Sequence, residues 1–270
     1  KTSLAESVLF MTGVSDRLGK VGDASSVMDY DPDEIKRGHS INSSLAFCEF
    51  NSTKINLLDT PGSSNFIADT PAALRVVDGL VFVVSAVEGV QFYSEKIWKW
   101  ANELNLPRII FLNKMDHERA STVPILEAIK NKFKITPIFI HLPQGVGDNF
   151  SGIVDLIENK IFSYEKNNKG EGKADDVPSD ISDEIEISHG ELMEAVAEVD
   201  DELIEKYLES GELTEEEFSR GLKEGIQNGQ LIPVLCGSAL ENIGVDLLLD
   251  GIVKYLPSPE NRIPVKAKNV

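Results

Sequence analysis

The sequence is poor in sulfur, in aromatic rings and in positive charge. Its 270 residues include two cysteines, Cys48 and Cys236, which form no metal-ligand spacing. They read as buried thiols of a reducing, cytoplasmic protein rather than as a disulfide. No run of about 18 apolar residues occurs, so no membrane-spanning helix is expected. No basic, apolar, small-residue leader is visible either. Basic residues number 26 against 45 acidic ones, a net charge of −19. The imbalance is local. Between Glu171 and Arg220 there are 19 acidic residues and three basic ones, Lys173, Lys206 and Arg220. Such a surface repels a phosphate backbone, which excludes nonspecific nucleic-acid binding through it. Two readings stay open: a basic protein partner, or a solvated face that keeps the chain soluble. Hydrophobic residues make up 41% of the chain, enough for one large or two small cores.

Apolar spacing predicts alternating strands and helices. Ser3 to Phe10 has helical spacing. Ala46 to Phe50 and Lys54 to Leu58 read as an antiparallel hairpin around Asn51-Ser52-Thr53. The apolar run Leu80 to Val84 predicts a strand buried on both faces, and Arg108 to Leu112 another. Ser94 to Asn105 predicts a helix, as do Ile125, Ile129 and Phe133. Ile138 to Leu142 reads as one further strand, Leu231 to Cys236 as the last strand and Val245 to Leu256 as the last helix. The expected core is therefore a doubly wound, mostly parallel α/β sheet.

The pattern changes between Gly145 and Gln230. Short strands at Ile153 to Leu156 and Ile161 to Tyr164 precede a polar, glycine-containing stretch, Lys166 to Asp176, read as a loose turn. Leu192, Val196, Val199, Leu203 and Tyr207 form one amphipathic stripe, ended by Ser210-Gly211. Thr214 and Glu217 form a capping box for a second helix ending at Asn228-Gly229. The expected division is a core at 1–147 and 231–256, an inserted α+β subdomain at 148–230, and a linker at 257–270.

Two motifs carry the chemistry. Asp59-Thr60-Pro61-Gly62 and Asn113-Lys114-Met115-Asp116 each close an apolar strand, where open α/β sheets place ligands. Asp59 can hold Mg²⁺ through water, and Gly62 lets backbone approach a phosphate. Asp116 is acceptor-only, so it matches the adjacent N–H donors of guanine and not the edge of adenine. One such charge-assisted bond is worth about 1.5–3 kcal/mol. Lys1-Thr2, before a helix, reads as the end of a P-loop, with the lysine on the β- and γ-phosphates and Thr2 on Mg²⁺. Its glycine loop and preceding strand are absent, so an earlier start to the polypeptide is expected. Ser40, in the polar stretch Asp33 to Ile41, offers a hydroxyl to complete the Mg²⁺ shell. Gly237-Ser238-Ala239-Leu240 provides small residues whose backbone can approach guanine O6.

These residues resemble the GTP-binding domain of elongation factor G over nearly the whole chain. The resemblance also covers Met28-Asp29, Val87-Glu88-Gly89-Val90-Gln91, Glu205-Lys206-Tyr207-Leu208-Glu209 and Tyr255-Leu256-Pro257-Ser258-Pro259. It implies a P-loop GTPase using GTP or GDP with Mg²⁺ and acting on the ribosome as a monomer. It implies that the insertion is the G′ subdomain, whose acidic helices meet the large-subunit stalk protein, and that a β-barrel domain begins within Glu260 to Val270. Lys114 would stack its stem on the base, and Gly62 would sense the γ-phosphate. One departure stands out. The family follows its first motif with a water-positioning histidine, and this chain has Ser63, as do elongation-factor-G-like paralogues. Such a group contributes roughly 10²–10⁴ in rate, so slow hydrolysis is expected. His39, before Ser40, is a candidate partial replacement. A ribosome-protection or release-type GTPase, a nucleotide-gated binding module without hydrolysis, and a degenerate domain kept for protein contacts remain alternatives.

Overall fold

The computed structural model describes residues 1–165, 169–179 and 181–261. The chain opens with α1 (Thr2–Met11), which buries Leu4, Val8 and Leu9. The short α2 (Pro32–Arg37) follows, nucleated by a capping box in which Asp31 accepts from Asp33 N and Glu34 returns a bond to the Asp31 N–H. Apolar periodicity gives no hint of this turn, because its signal is polar. β1 (Ser44–Phe50) and β2 (Thr53–Asp59) form the expected hairpin. Its turn is two residues long, with Asn51 and Ser52 at φ 46° and 60°. Two positive φ angles in succession give the primed turn that matches strand twist.

Next come α3 (Thr70–Val76), β3 (Leu80–Ser85), α4 (Phe92–Glu103), β4 (Arg108–Asn113), α5 (Val123–Phe133) and β5 (Pro137–Phe139). A second set follows: β6 (His141–Gln144), β7 (Gly152–Asp155), β8 (Lys160–Ser163), β9 (Lys173–Asp176), α6 (Ser182–Ala197), α7 (Asp201–Ser210) and α8 (Glu215–Gln227). The chain returns through β10 (Ile232–Cys236) to α9 (Val245–Tyr255). A parallel sheet runs in the order β3-β4-β10-β5, and an antiparallel sheet in the order β6-β7-β8-β9. Every residue of β4 and β10 is buried, as unbroken apolar runs require. Trp98 stacks on Phe133 at a centroid distance of 4.2 Å, and Phe82 meets both edge-on, which locks α4 and α5 against one face. Both cysteines are free and buried. Among the described residues no helix is long and apolar enough to cross a membrane.

Four sequence expectations are corrected. β3 is an edge strand of the described sheet, and Leu80, Val81 and Val83 are only half-buried rather than enclosed on both faces. The apolar run Ile138 to Leu142 is not one strand. It changes sheets at Ile140, whose N–H donates to Val234 while its carbonyl accepts from Leu156. The stripe from Leu192 to Tyr207 spans two helices, because Asp200 turns extended and caps α7 through Glu202 N at 2.7 Å. Lys173–Asp176, read as part of a loose turn, is a fully exposed strand paired to β8. Its side chains show no apolar alternation, so only main-chain pairing defines it. Of the stretch expected to begin a barrel, residues 262–270 lie outside the described residues.

Candidate functional site

The N-terminus of α1 meets the end of β2. Lys1 Nζ donates to the Thr60 carbonyl at 2.6 Å, and a Cβ added at Gly62 would lie 3.5 Å from that nitrogen. Although Lys1 is exposed as a residue, partial desolvation of its ammonium lowers it below the ordinary lysine value, and the Asp59 carboxylate pulls it partly back. Thr2 Oγ1 donates to Asp59 Oδ2 at 2.6 Å and lies 3.0 Å from Ser40 Oγ. The three residues expected at a metal are thus brought together from three elements.

A fourth group completes this cluster: Asp29, which lies in a segment covered by the family resemblance and to which the sequence assigns no role. Asp29 accepts from Ser40 Oγ at 2.7 Å through Oδ1, while its Oδ2 is buried without a partner. Burial pushes its carboxyl up against the pull of the Ser40 bond, and the nearby Glu34, Asp59 and Glu6 push the same way. Glu34 holds the Ser40 segment by accepting from Ile41 N at 2.8 Å and Asn42 N at 3.0 Å. Glu6 does the same for the Asp29 segment, accepting from Ser26 Oγ at 2.7 Å and Met28 N at 2.8 Å. Polar residues inside a polar stretch show no periodicity that marks them as interior.

This oxygen set fits a small hard cation. Neighbouring oxygens around an octahedral ion with bonds near 2.1 Å sit about 3.0 Å apart, the Thr2–Ser40 spacing. The bare Asp29 oxygen is a further acceptor for an ion or its water. Among the described residues no group of three or more His, Cys, Asp and Glu side chains is arranged to hold a metal. Two of the four groups are hydroxyls and two are carboxylates, so a six-coordinate ion here would complete its shell with water and phosphate.

The second motif is built at the ends of β4 and β10. Asn113 Oδ1 accepts from Ala239 N at 2.9 Å, and Met115 N donates to the Gly237 carbonyl at 3.2 Å. A Cβ at Gly237 would lie 2.7 Å from Phe111, so glycine is needed for this approach. Ser238 is buried and accepts from Glu241 N at 3.1 Å, whereas Leu240 is exposed. Lys114 has φ 69° and pairs with Glu88 at 3.0 Å. Asp116 Oδ1 is buried with no partner. One turn and a half of α1 joins the two halves, because Ser7 Oγ donates to the Ala239 carbonyl at 2.7 Å while Thr2 holds Asp59.

Ser63 and His39 stand apart from these contacts. Ser63 is half-buried and precedes the 3-10 turn Ser64–Asp69 without capping it through its side chain. His39 is exposed; its Nδ1 lies 3.1 Å from the Arg37 carbonyl. Its ring centroid is 6.0 Å from that of Phe66, within the same turn.

Comparison with known proteins agrees with this geometry. Residues 1–258 match the family described as the elongation factor Tu GTP binding domain. A protein of known crystal structure from Thermus thermophilus superposes with a TM-score of 0.88 at 33% sequence identity. The alignment covers 96% of this chain and 38% of that protein, so this chain spans well under half of its relative's length. With Asp59 held by Thr2, and Asn113 joined through Ala239 to Ser7 on the same helix, the chain belongs to the elongation factor Tu GTP-binding domain family, as a P-loop GTPase domain similar to that of elongation factor G.

Proposed function

We propose that this chain is the G domain of a translational GTPase of the elongation factor G type, binding GTP and GDP with Mg²⁺ and acting on the ribosome in the cytoplasm as a monomer. The observation that carries the reading is the buried, unpartnered Asp116 Oδ1 beside the Asn113–Ala239 junction. A bare carboxylate oxygen in a buried setting costs about 1–3 kcal/mol unless a donor arrives, and the paired N–H groups of guanine are such donors. Asn113 sets the loop, Lys114 exchanges Glu88 for the base, and Ser238, Ala239 and Leu240 present backbone toward O6. Lys1 takes the β- and γ-phosphates, and the Gly62 N–H responds to the γ-phosphate. Thr2, Ser40 and Asp59 hold Mg²⁺, which offsets phosphate charge when bound.

Residues 1–147 and 231–256 form the GTPase core in this reading, 148–230 the G′ insertion, and 257–270 the way into a second domain. The exposed acidic faces of α6, α7 and α8 suit the ribosomal stalk protein. Ser63 in the histidine position favours the elongation-factor-G-like paralogues and slow hydrolysis. The proximity of His39 to Phe66 supports its acting on the same turn. A nucleotide-gated module without hydrolysis is the second reading, and Ser63 is the observation favouring it. Single-turnover GTP hydrolysis by the full-length protein, with and without ribosomes, tests both. Ribosome-stimulated cleavage supports the enzyme, and saturable guanine binding without cleavage supports the module.

A further inference from the structure

Glu6 stands one turn beyond Thr2 on α1, so the two side chains share a face of the helix. It is fully buried, on a helix whose other inward residues include Leu4, Val8 and Leu9. A buried carboxylate is costly, and an apolar residue of similar size would serve packing alone better. Gly19 closes over it, and a Cβ there would overlap the Glu6 carboxylate.

A run of polar contacts leads from Glu6 back to Thr2. Glu6 Oε1 accepts from Ser26 Oγ at 2.7 Å and from Met28 N at 2.8 Å. Ser26 Oγ in turn accepts from Asp29 N at 2.9 Å. Asp29 Oδ1 accepts from Ser40 Oγ at 2.7 Å, and Ser40 Oγ lies 3.0 Å from Thr2 Oγ1. The ring therefore leaves α1 at Glu6 and returns to it at Thr2, and each of its side chains belongs to a buried residue. It also directs two protons. Ser40 donates to Asp29 and Thr2 donates to Asp59, so the two neighbouring hydroxyl oxygens keep lone pairs for a cation. Without Glu6 the Met28 and Ser26 anchors are lost, and with them the placement of Asp29 and Ser40. The Thr2–Asp59 bond does not depend on them.

We propose that Glu6 is a positioning residue of the Mg²⁺ site: from α1 it holds Ser40 within ligating reach of Thr2, and so sets the Mg²⁺ affinity of the triphosphate-bound state in particular. The proposal rests on the guanine-nucleotide and Mg²⁺ reading above. Thr2 and Asp59 serve the metal with either nucleotide, whereas the loop hydroxyl joins when a γ-phosphate orders its segment. Residues that hold metal ligands in place are worth roughly 10- to 100-fold in metal affinity.

Mg²⁺ titration of the full-length protein tests it, read as binding of a fluorescent, non-hydrolysable GTP analogue and, in parallel, of fluorescent GDP. Glu6→Met should raise the Mg²⁺ concentration for half-maximal binding of the GTP analogue roughly tenfold and leave that for GDP within about twofold. Glu6→Gln keeps an oxygen for Ser26 and Met28, and should shift the GTP-analogue value by less than about threefold. Should Glu6→Met fail to fold, Ser26→Ala cuts the link to Asp29 N while leaving Glu6 on Met28, and should raise the GTP-analogue value at least about threefold with GDP again unmoved. Unchanged Mg²⁺ requirements, equal shifts with both nucleotides, or a glutamine as damaging as methionine overturn the proposal, equal shifts meaning a general loosening of α1. A parent that binds neither nucleotide, or binds both without Mg²⁺ dependence, overturns the nucleotide reading and this proposal with it.

Discussion

The backbone N–H of Ala239 donates to the side chain of Asn113 at 2.9 Å, across 126 residues of sequence. This bond fastens the two loops that would enclose a base, and both residues are buried. Asn113→Ala removes the acceptor and leaves a buried donor bare, a loss of about 1–3 kcal/mol. Guanine-nucleotide affinity measured with a fluorescent analogue should fall roughly 5- to 100-fold. An unchanged affinity would mean that the junction does not support the base site.

Ser63 and His39 make the hydrolysis prediction. Ser63→His restores a titratable group at the head of the 3-10 turn and is expected to raise ribosome-stimulated GTP cleavage at least about tenfold. His39→Ala should lower the residual rate while leaving nucleotide affinity within about twofold, because His39 lies exposed and its ring nitrogen turns to its own loop at Arg37. A rate unaffected by His39→Ala would remove that residue from the reaction.

Gly221 lies where α6, α7 and α8 pack together. A Cβ there would come 2.6 Å from Leu203 Cδ1 and 2.9 Å from Val196 Cγ1. Gly221→Ala should therefore destabilise the chain by about 1–3 kcal/mol despite alanine's better helix propensity. Denaturant unfolding measures this, and a stabilised variant would contradict the packing.

Acid sensitivity follows from Asp155. Burial pushes its carboxyl up, but the His141 bond and charge with the Glu158 and Ile157 N–H groups outweigh that and leave it below its ordinary value of 3.8. A lowered folded-state value adds stability that is fully present above the ordinary range and is lost as pH falls through the lowered one. Asp155→Asn should flatten the decline in unfolding midpoint between about pH 5 and pH 3 relative to the parent chain. An equally steep decline would place the acid sensitivity elsewhere.

The sequence makes the interior legible wherever apolar spacing alone decides the outcome. β4, β10, α5 and α8 fall where their periodicity predicts, and the Thr214–Glu217 capping box opens α8 as read. It is silent where polar contacts decide. The break at Asp200 interrupts a stripe whose apolar spacing runs on unbroken, and the sheet change at Ile140 leaves no mark in an apolar run. Thr2, Ser40 and Asp59 are legible as a set because each stands in or beside a recognisable motif. Asp29 and Glu34 stand in a polar stretch and Glu6 inside the apolar helix α1, and their role in holding the cluster is visible only once their hydrogen bonds are traced.

Base selection by the Asp116 carboxylate is the claim on which the functional reading depends. Competition between guanosine and xanthosine diphosphates, in the full-length protein and in Asp116→Asn, measures it directly. An acceptor-only side chain matches the N–H pair of guanine, whereas an amide also donates and so suits the additional carbonyl of xanthine. The parent should prefer the guanosine form, and the variant should lose about 10- to 100-fold of that affinity and gain for the xanthosine form. Equal affinities for both nucleotides in the parent, or a variant that still prefers guanosine by the same margin, would contradict the account.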